Sequence, residues 1–96
     1  MYIGNIADYL RYDKINKAAV FQDDRLQIMM LNLPAGAVMK EYSSNKDAYF
    51  VVQKGRVEFI LENDLFLLKE GDVFHLRAGQ LHSLQAITDF SMLIFK

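Results

Sequence analysis

The chain has 96 residues, 52% of them hydrophobic and 12% aromatic, which is enough for the core of one small domain. Eleven basic and twelve acidic residues give a formal net charge of −1 without a basic block, which argues against a nucleic-acid partner. The lack of cysteine excludes disulfides, zinc ribbons and thiol catalysis. No secretory signal is visible, and the apolar runs are too short to span a bilayer. We therefore expect a cytoplasmic protein with no membrane partner.

Residues 1–25 are predicted to form an N-terminal helix followed by an edge strand. A short helix is favoured over residues 5–12, because Asn5 can cap its first turn and the apolar residues then fall on one side. Residues 17–22 have the composition of a strand. The connection over residues 14–17 is interpreted as a solvated segment and not as a basic patch.

Residues 26–96 are predicted to complete an antiparallel barrel within the same single domain. Short apolar runs alternate there with turn residues at regular spacing, a pattern typical of an all-β barrel or sandwich. The predicted strands cover residues 25–33, 48–53, 56–61, 65–69, 73–76, 82–87 and 90–95.

If consecutive strands are joined as hairpins, the pairing across each turn predicts which side chains face the interior. A two-residue turn at Lys54 and Gly55 would pair Val52 with Val57. Together with a turn at residues 63–64, this predicts an interior formed by Ala48, Phe50, Val52, Val57, Phe59, Leu61, Phe66 and Leu68.

A third assumed hairpin, across Thr88 and Asp89, concerns the last two predicted strands. It would align His82, Leu84 and Ala86 with Phe95, Leu93 and Ser91. It leaves Val51, Ile60, Phe90, Met92 and Ile94 facing outwards. Such a face is too apolar for full solvation, so we expect it to pack under the N-terminal segment or in a subunit interface.

Two stretches of the sequence each contain glycines and polar residues at a characteristic spacing. The first holds Gly36, Tyr42, Ser44, Ala48 and Gly55, and the second holds Gly71, Arg77, Gly79, His82 and Ala86. This spacing resembles the motifs of the small single-domain cupins, which are RmlC-like double-stranded β-helix barrels. The cupin motifs run Gly-x5-His-x-His-x3-4-Glu-x6-Gly and Gly-x5-Pro-x-Gly-x2-His-x3-Asn. The resemblance covers residues 26–96 and implies a cupin-type antiparallel jelly-roll barrel that forms homodimers.

The positions of the metal ligands depart from the cupin pattern. Tyr42, Ser44 and Ala48 replace the two histidines and the glutamate of the first motif, and only His82 is kept. Asp47 is adjacent to the glutamate position, but strand alternation points it to the other face. A transition metal needs three or four converging ligands, so we predict no metal and no cofactor. The sequence does not fix the orientation of His75.

Three functions remain open. The first is an uncharacterised, metal-free cupin-domain protein that binds a small molecule in the barrel, although large side chains filling the barrel are an equally good interpretation. The ligand-binding residues would be Tyr42, Ser44, Phe50, Phe59 and His82. The alternative is a degenerate cupin enzyme, an isomerase or a metal-dependent dioxygenase, that uses His82. The third is a sensory module that acts with a partner protein. Catalytic residues are not assigned.

Overall fold

The computed structural model describes residues 1–96, except for the side chains of Glu41 and Tyr42. The described backbone forms one short 3-10 helix and nine strands. The 3-10 helix is Ile6–Tyr9, and the strands are β1 Asn16–Gln22, β2 Gln27–Leu33, β3 Val38–Tyr42, β4 Ala48–Lys54, β5 Val57–Leu61, β6 Asp64–Leu68, β7 Val73–Leu76, β8 His82–Ala86 and β9 Phe90–Phe95.

The N-terminal helix is shorter than the sequence predicts. Asn5 caps it as expected, and its side-chain oxygen accepts a hydrogen bond from the Ala7 N–H at 2.8 Å. Leu10 already has an extended backbone, so only a single 3-10 turn forms within the predicted range 5–12.

The strands form two antiparallel sheets. One has the order β1-β2-β9-β4-β7 and the other the order β3-β8-β5-β6. The predicted all-β antiparallel barrel is therefore confirmed. β3 was missed by the sequence analysis; it pairs with β8, where Val38 lies opposite Gln85 and Met39 opposite Leu84.

The hairpin predicted at Lys54 and Gly55 is wrong. β4 pairs with β7 and β9, whereas β5 pairs with β6 and β8, so the chain crosses from one sheet to the other at this turn. The predicted interior is nevertheless right for these two strands, because alternation along each strand sets its faces whatever its partner. Phe50 and Phe59 meet across the barrel with ring centroids 5.3 Å apart.

The hairpin predicted across Thr88 and Asp89 is also wrong, since β8 and β9 belong to different sheets. Three residues predicted to face outwards, Phe90, Met92 and Ile94, belong to the buried core. The error arose because the faces of β9 were inferred from a pairing with β8 that does not exist.

The predicted hairpin between β5 and β6 does form. Val57 lies opposite Leu68 and Phe59 opposite Phe66. Leu68 is buried as predicted, but Phe66 is 37% exposed because β6 is the edge strand of its sheet.

Aromatic rings fill much of the space between the sheets. Phe74 stacks on Phe50 at 5.3 Å between centroids and packs at 4.9 Å against Phe59. Phe50 and Phe59 are almost completely buried. Of the two interpretations left open by the sequence, the filled barrel describes this central region.

A network of buried hydrogen bonds connects the N-terminal segment to the outer face of the five-stranded sheet. The Ser91 hydroxyl donates to the Asn32 side-chain oxygen at 2.6 Å, and the Asn32 amide donates to the Tyr9 carbonyl at 2.6 Å. Tyr12 shares a hydrogen bond with Ser91 through their hydroxyl groups. Asn32 and Ser91 are fully buried, and the network satisfies the polar groups that burial would otherwise penalise.

Candidate functional site

A narrow pocket opens between the two sheets, at the end of the barrel where β4 and β8 begin. Its volume is about 380 Å³ when the open space at its mouth is included, but between the walls little more than a water molecule fits. The lining residues are Lys17, Ser44, Ala48, Phe50, Phe59, Leu76, His82, Met92, Ile94 and Lys96.

The pocket brings together most of the ligand-binding residues predicted from the sequence. Ser44, Phe50, Phe59 and His82 all line it. The fifth predicted residue, Tyr42, is aligned with His82 in the backbone pairing of β3 and β8, and its side chain lies outside the described part of the structure.

His82 is the most constrained polar residue of the pocket. It is 4% exposed, and its ring stacks on Phe59 with 5.7 Å between centroids. Its Nδ1 lies 3.1 Å from the Gln80 carbonyl oxygen, which only accepts, so Nδ1 carries the proton of the neutral ring. Nε2 is therefore the basic nitrogen of this tautomer.

Burial lowers the pKa of His82 below its ordinary value. The Gln80 carbonyl opposes this shift, while the positive charges of Lys17 and Lys96 add to it. At neutral pH the ring is consequently an uncharged base, since its ordinary pKa is about 6.5.

Two lysines that were not predicted as site residues, Lys17 and Lys96, line the pocket. Strand register places Lys17 opposite Leu31, and Leu31 opposite Met92, so that Lys17 shares the inward face of its sheet. Lys96 follows Met92 and Ile94 in alternation on the same face, and its backbone bonds to Gln27 in both directions. Lys17 lies in β1, as the strand predicted over residues 17–22 implies, and it is an exposed residue that also lines the pocket.

Lys17 and Lys96 lie close enough to influence each other. The pKa of Lys17 is lowered first by partial burial and then by the positive charge of Lys96. Alternation beyond Met92 and Ile94 could have indicated the side of Lys96, but nothing local in the sequence links it to Lys17.

The profile of a family described as "Cupin domain" matches residues 29–95, well over half of the chain. The chain belongs to the cupin family. A search of curated proteins found no significant match.

Solved structures share the fold of this cupin at low sequence identity. An RmlC-like cupin protein from Desulfovibrio desulfuricans has a TM-score of 0.87 at 22% identity, with 99% of this chain and 94% of that chain covered. A cupin superfamily protein from Desulfitobacterium hafniense has a TM-score of 0.81 at 22% identity, covering 90% and 79%. A Streptococcus pyogenes protein of unknown function has a TM-score of 0.84 at 23% identity, covering 98% and 84%.

The side chains at the metal-ligand positions of this cupin do not fit a transition metal. Ser44 offers a neutral hydroxyl, Ala48 has no donor atom, and His82 supplies an imidazole. Among the residues whose side chains are described, no three histidine, cysteine, aspartate or glutamate side chains converge. No reaction step through a metal is therefore derived for this cupin.

Asp47 and His75 lie on the outer surface, away from the pocket. The Asp47 carboxylate accepts from the Ala78 N–H at 2.9 Å and lies 3.1 Å from His75 Nε2. His75 stacks on the exposed Tyr49 at 4.5 Å between centroids. The prediction that Asp47 points away from the ligand positions is correct, and the orientation of His75 is settled as outward.

Within the described chain, no helix has the length and apolar character needed to cross a membrane.

The depressed pKa of His82 predicts a specific pH dependence of stability. The unfolded state takes up a proton near pH 6.5, whereas the folded state does so only at lower pH, so stability should fall as pH drops below about 6.5. Urea unfolding between pH 7.5 and 5 measures the slope. His82→Gln should flatten it and His75→Gln should keep it; an unchanged slope in His82→Gln contradicts the prediction. The pKa of Asp47 is lowered by the hydrogen bond from the Ala78 N–H first and then by His75, so its titration changes the stability only below the pH range of this measurement.

Proposed function

We propose that this cupin binds a small molecule in the pocket beside His82 and does so without a resident metal. The observation that carries this proposal is the convergence of Ser44 and His82 with two lysines in the lining of a pocket whose other walls are apolar. Apolar walls with a few convergent polar groups are the usual composition of a small-molecule site.

The shape of the pocket limits the size of the ligand. Phe50 and Phe59 close it from below, and little free space remains between the walls. A ligand would therefore place its polar end near Ser44 and His82 and insert only a small apolar group. A larger body would require movement of the side chains that line the pocket.

Nuclear magnetic resonance titration with small neutral fragments tests the proposal. We expect benzyl alcohol and phenol to shift the backbone amides around Ser44, Ala48, Phe59 and His82 in a saturable manner. His82→Gln should weaken binding about two- to tenfold, the effect of one lost hydrogen bond. His75→Gln, on the outer surface, is the matched control. Scattered or absent shifts at millimolar concentrations would show that the barrel is simply filled.

A second candidate is an acid–base enzyme that uses His82, such as an isomerase. The observation that favours it is the uncharged ring with its Nδ1–H held by Gln80, which makes Nε2 a suitable base. Hydrogen–deuterium exchange next to the carbonyl of phenylacetone is a direct test. Exchange that His82→Gln abolishes and His75→Gln retains would support this candidate, and background exchange in both would reject it.

We further propose that the cupin forms a homodimer through the outer face of the five-stranded sheet. The strand register aligns the 74% exposed Val73 with Val51 and the 9% exposed Leu93 in one row on this face, beside the 50% exposed Tyr49. A contiguous apolar row on an outer face is typical of an interface. Because Phe90, Met92 and Ile94 face the core, this row replaces the one expected from the sequence.

Light scattering coupled to size exclusion tests the dimer and its location. At micromolar concentration we expect a dimer mass, and Val51→Lys should convert it to a monomer by burying an unpaired charge. Leu67→Lys, on the outer face of the other sheet, is the matched control and should remain dimeric. A monomeric native protein overturns the dimer, and a monomer produced only by Leu67→Lys moves the interface to the other sheet.

A further inference from the structure

We propose that the ligand of this pocket is a small organic carboxylate, with its anionic end between Lys17 and Lys96 and its apolar part directed at Phe50 and Phe59. The inference rests on the proposed small-molecule function and names the chemical class of the ligand. It comes from two cations at the mouth of the cavity, which the cupin motifs do not contain.

The strand register places both lysines on the inward face of the five-stranded sheet, so they belong to the lining of the cavity. Lys17 enters from the edge strand β1 and Lys96 extends the inward face of β9, so the two approach from neighbouring parts of one sheet. Lys17, Lys96 and His82 all line this one pocket, and the two lysine charges contribute to the lowered pKa of His82.

The described side chains that line this pocket include no carboxylate. Two positive charges that line one pocket lower the electrostatic free energy of an anion placed between them. Lys17 also interacts within the protein, so a ligand would share its ammonium group.

Acidic residues occur in the adjacent surface recess, which Lys96 also lines together with Lys46. Asp23 and Asp24 lie there beside Arg25. The Asp23 carboxylate is engaged locally, since it accepts the backbone N–H groups of Arg25 and Leu26 at 2.8 and 2.9 Å. The recess therefore contains positively charged side chains as well as carboxylates. We infer that its two carboxylates do not cancel the positive charge at the mouth of the pocket.

The surroundings favour a carboxylate with an apolar body over a bare inorganic anion. Below the two ammonium groups the walls are Phe50, Phe59 and Leu76, which offer nothing to the oxygens of a phosphate. The Ser44 oxygen accepts the Lys46 N–H at 3.3 Å, so its own hydroxyl hydrogen can donate to a ligand oxygen. This set binds one small charged end, and it admits more than a small part of the uncharged remainder only if the side chains that line the pocket move.

Titration with matched probes at low ionic strength tests the inference. Benzoate and hexanoate should bind at least about tenfold more tightly than benzamide and hexanamide, and about 0.5 M salt should reduce that difference. Inorganic phosphate should not compete at equal concentration. The double variant Lys17→Met/Lys96→Met should lower benzoate affinity about tenfold and leave benzamide within about twofold. Lys14→Met/Lys69→Met replaces two exposed lysines outside the pocket and is the control for net charge.

The outcomes separate this inference from the proposed function. Equal binding of benzoate and benzamide, or competition by phosphate, overturns the carboxylate inference while small-molecule binding stands. The inference also fails if benzoate affinity survives Lys17→Met/Lys96→Met, or falls equally in Lys14→Met/Lys69→Met. If neither charged nor neutral probes bind at the pocket, the proposed function itself is wrong.

Discussion

Replacing Phe59 by alanine is expected to lower the free energy of unfolding by about 3–5 kcal/mol. Phe59 is fully buried and packs against Phe50, Phe74 and His82, with centroid distances of 5.3, 4.9 and 5.7 Å. Its removal leaves a cavity at the centre of the aromatic cluster, because the rigid strands on both sides cannot collapse into it. Urea unfolding followed by near-ultraviolet circular dichroism measures the loss.

Phe66→Ala is the matched control for this variant. Phe66 lies opposite Phe59 in the β5–β6 hairpin but is 37% exposed, so its loss should cost clearly less. The new cavity in Phe59→Ala is apolar and adjoins the pocket, and benzene should therefore raise the melting temperature of this variant and not that of the native protein. Equal losses for the two variants would contradict the packing described for Phe59.

Local periodicity explains why most strands could be predicted. Ala48, Phe50 and Val52 alternate cleanly with more exposed residues, and so do Val57 and Phe59, which fixes strand type and buried face without knowledge of the partner strand. β3 was missed because its sequence, Val-Met-Lys-Glu-Tyr, shows no such alternation.

Strand partners could not be predicted in the same way. A short loop such as Lys54 and Gly55 is compatible both with a hairpin and with a crossing between sheets, and only long-range pairing decides between them. The same limitation inverted the faces of β9. In this fold consecutive strands often lie in opposite sheets, so an assumption of hairpins fails where the chain crosses.

The residues of the candidate site likewise divide into those that the sequence could indicate and those that only the strand pairing brings together. Ser44 and His82 occupy positions of the cupin motifs, so the resemblance to that family was enough to propose them. Lys17 and Lys96 lie near opposite ends of the sequence, and they line the same pocket only because β2 pairs with both β1 and β9. The electrostatic character of the pocket is therefore a property of the tertiary pairing, and sequence motifs could not reveal it.

Gly55→Ala is expected to be the most destabilising single substitution at a turn, with a loss of at least about 3 kcal/mol. Gly55 has a φ of +79°, and a Cβ there would lie 1.9 Å from the Asp89 carbonyl oxygen and 2.6 Å from the Thr88 hydroxyl. Backbone atoms cannot yield as a flexible side chain does. The contact also joins the β4–β5 crossing to the β8–β9 crossing, so relief of the clash would have to move the two crossings apart.

Gly36→Ala separates the steric effect from the cost of the backbone conformation. Gly36 has a similar φ of +83°, yet a Cβ there would meet nothing within 4 Å, so its replacement should cost only about 1–2 kcal/mol. Thermal and urea unfolding of the two variants measure the difference. Equal losses would mean that the approach of Asp89 to Gly55 adds nothing beyond the positive φ. A larger loss in Gly55→Ala would establish that glycine is kept at this crossing because the two sheets meet there too closely for any side chain.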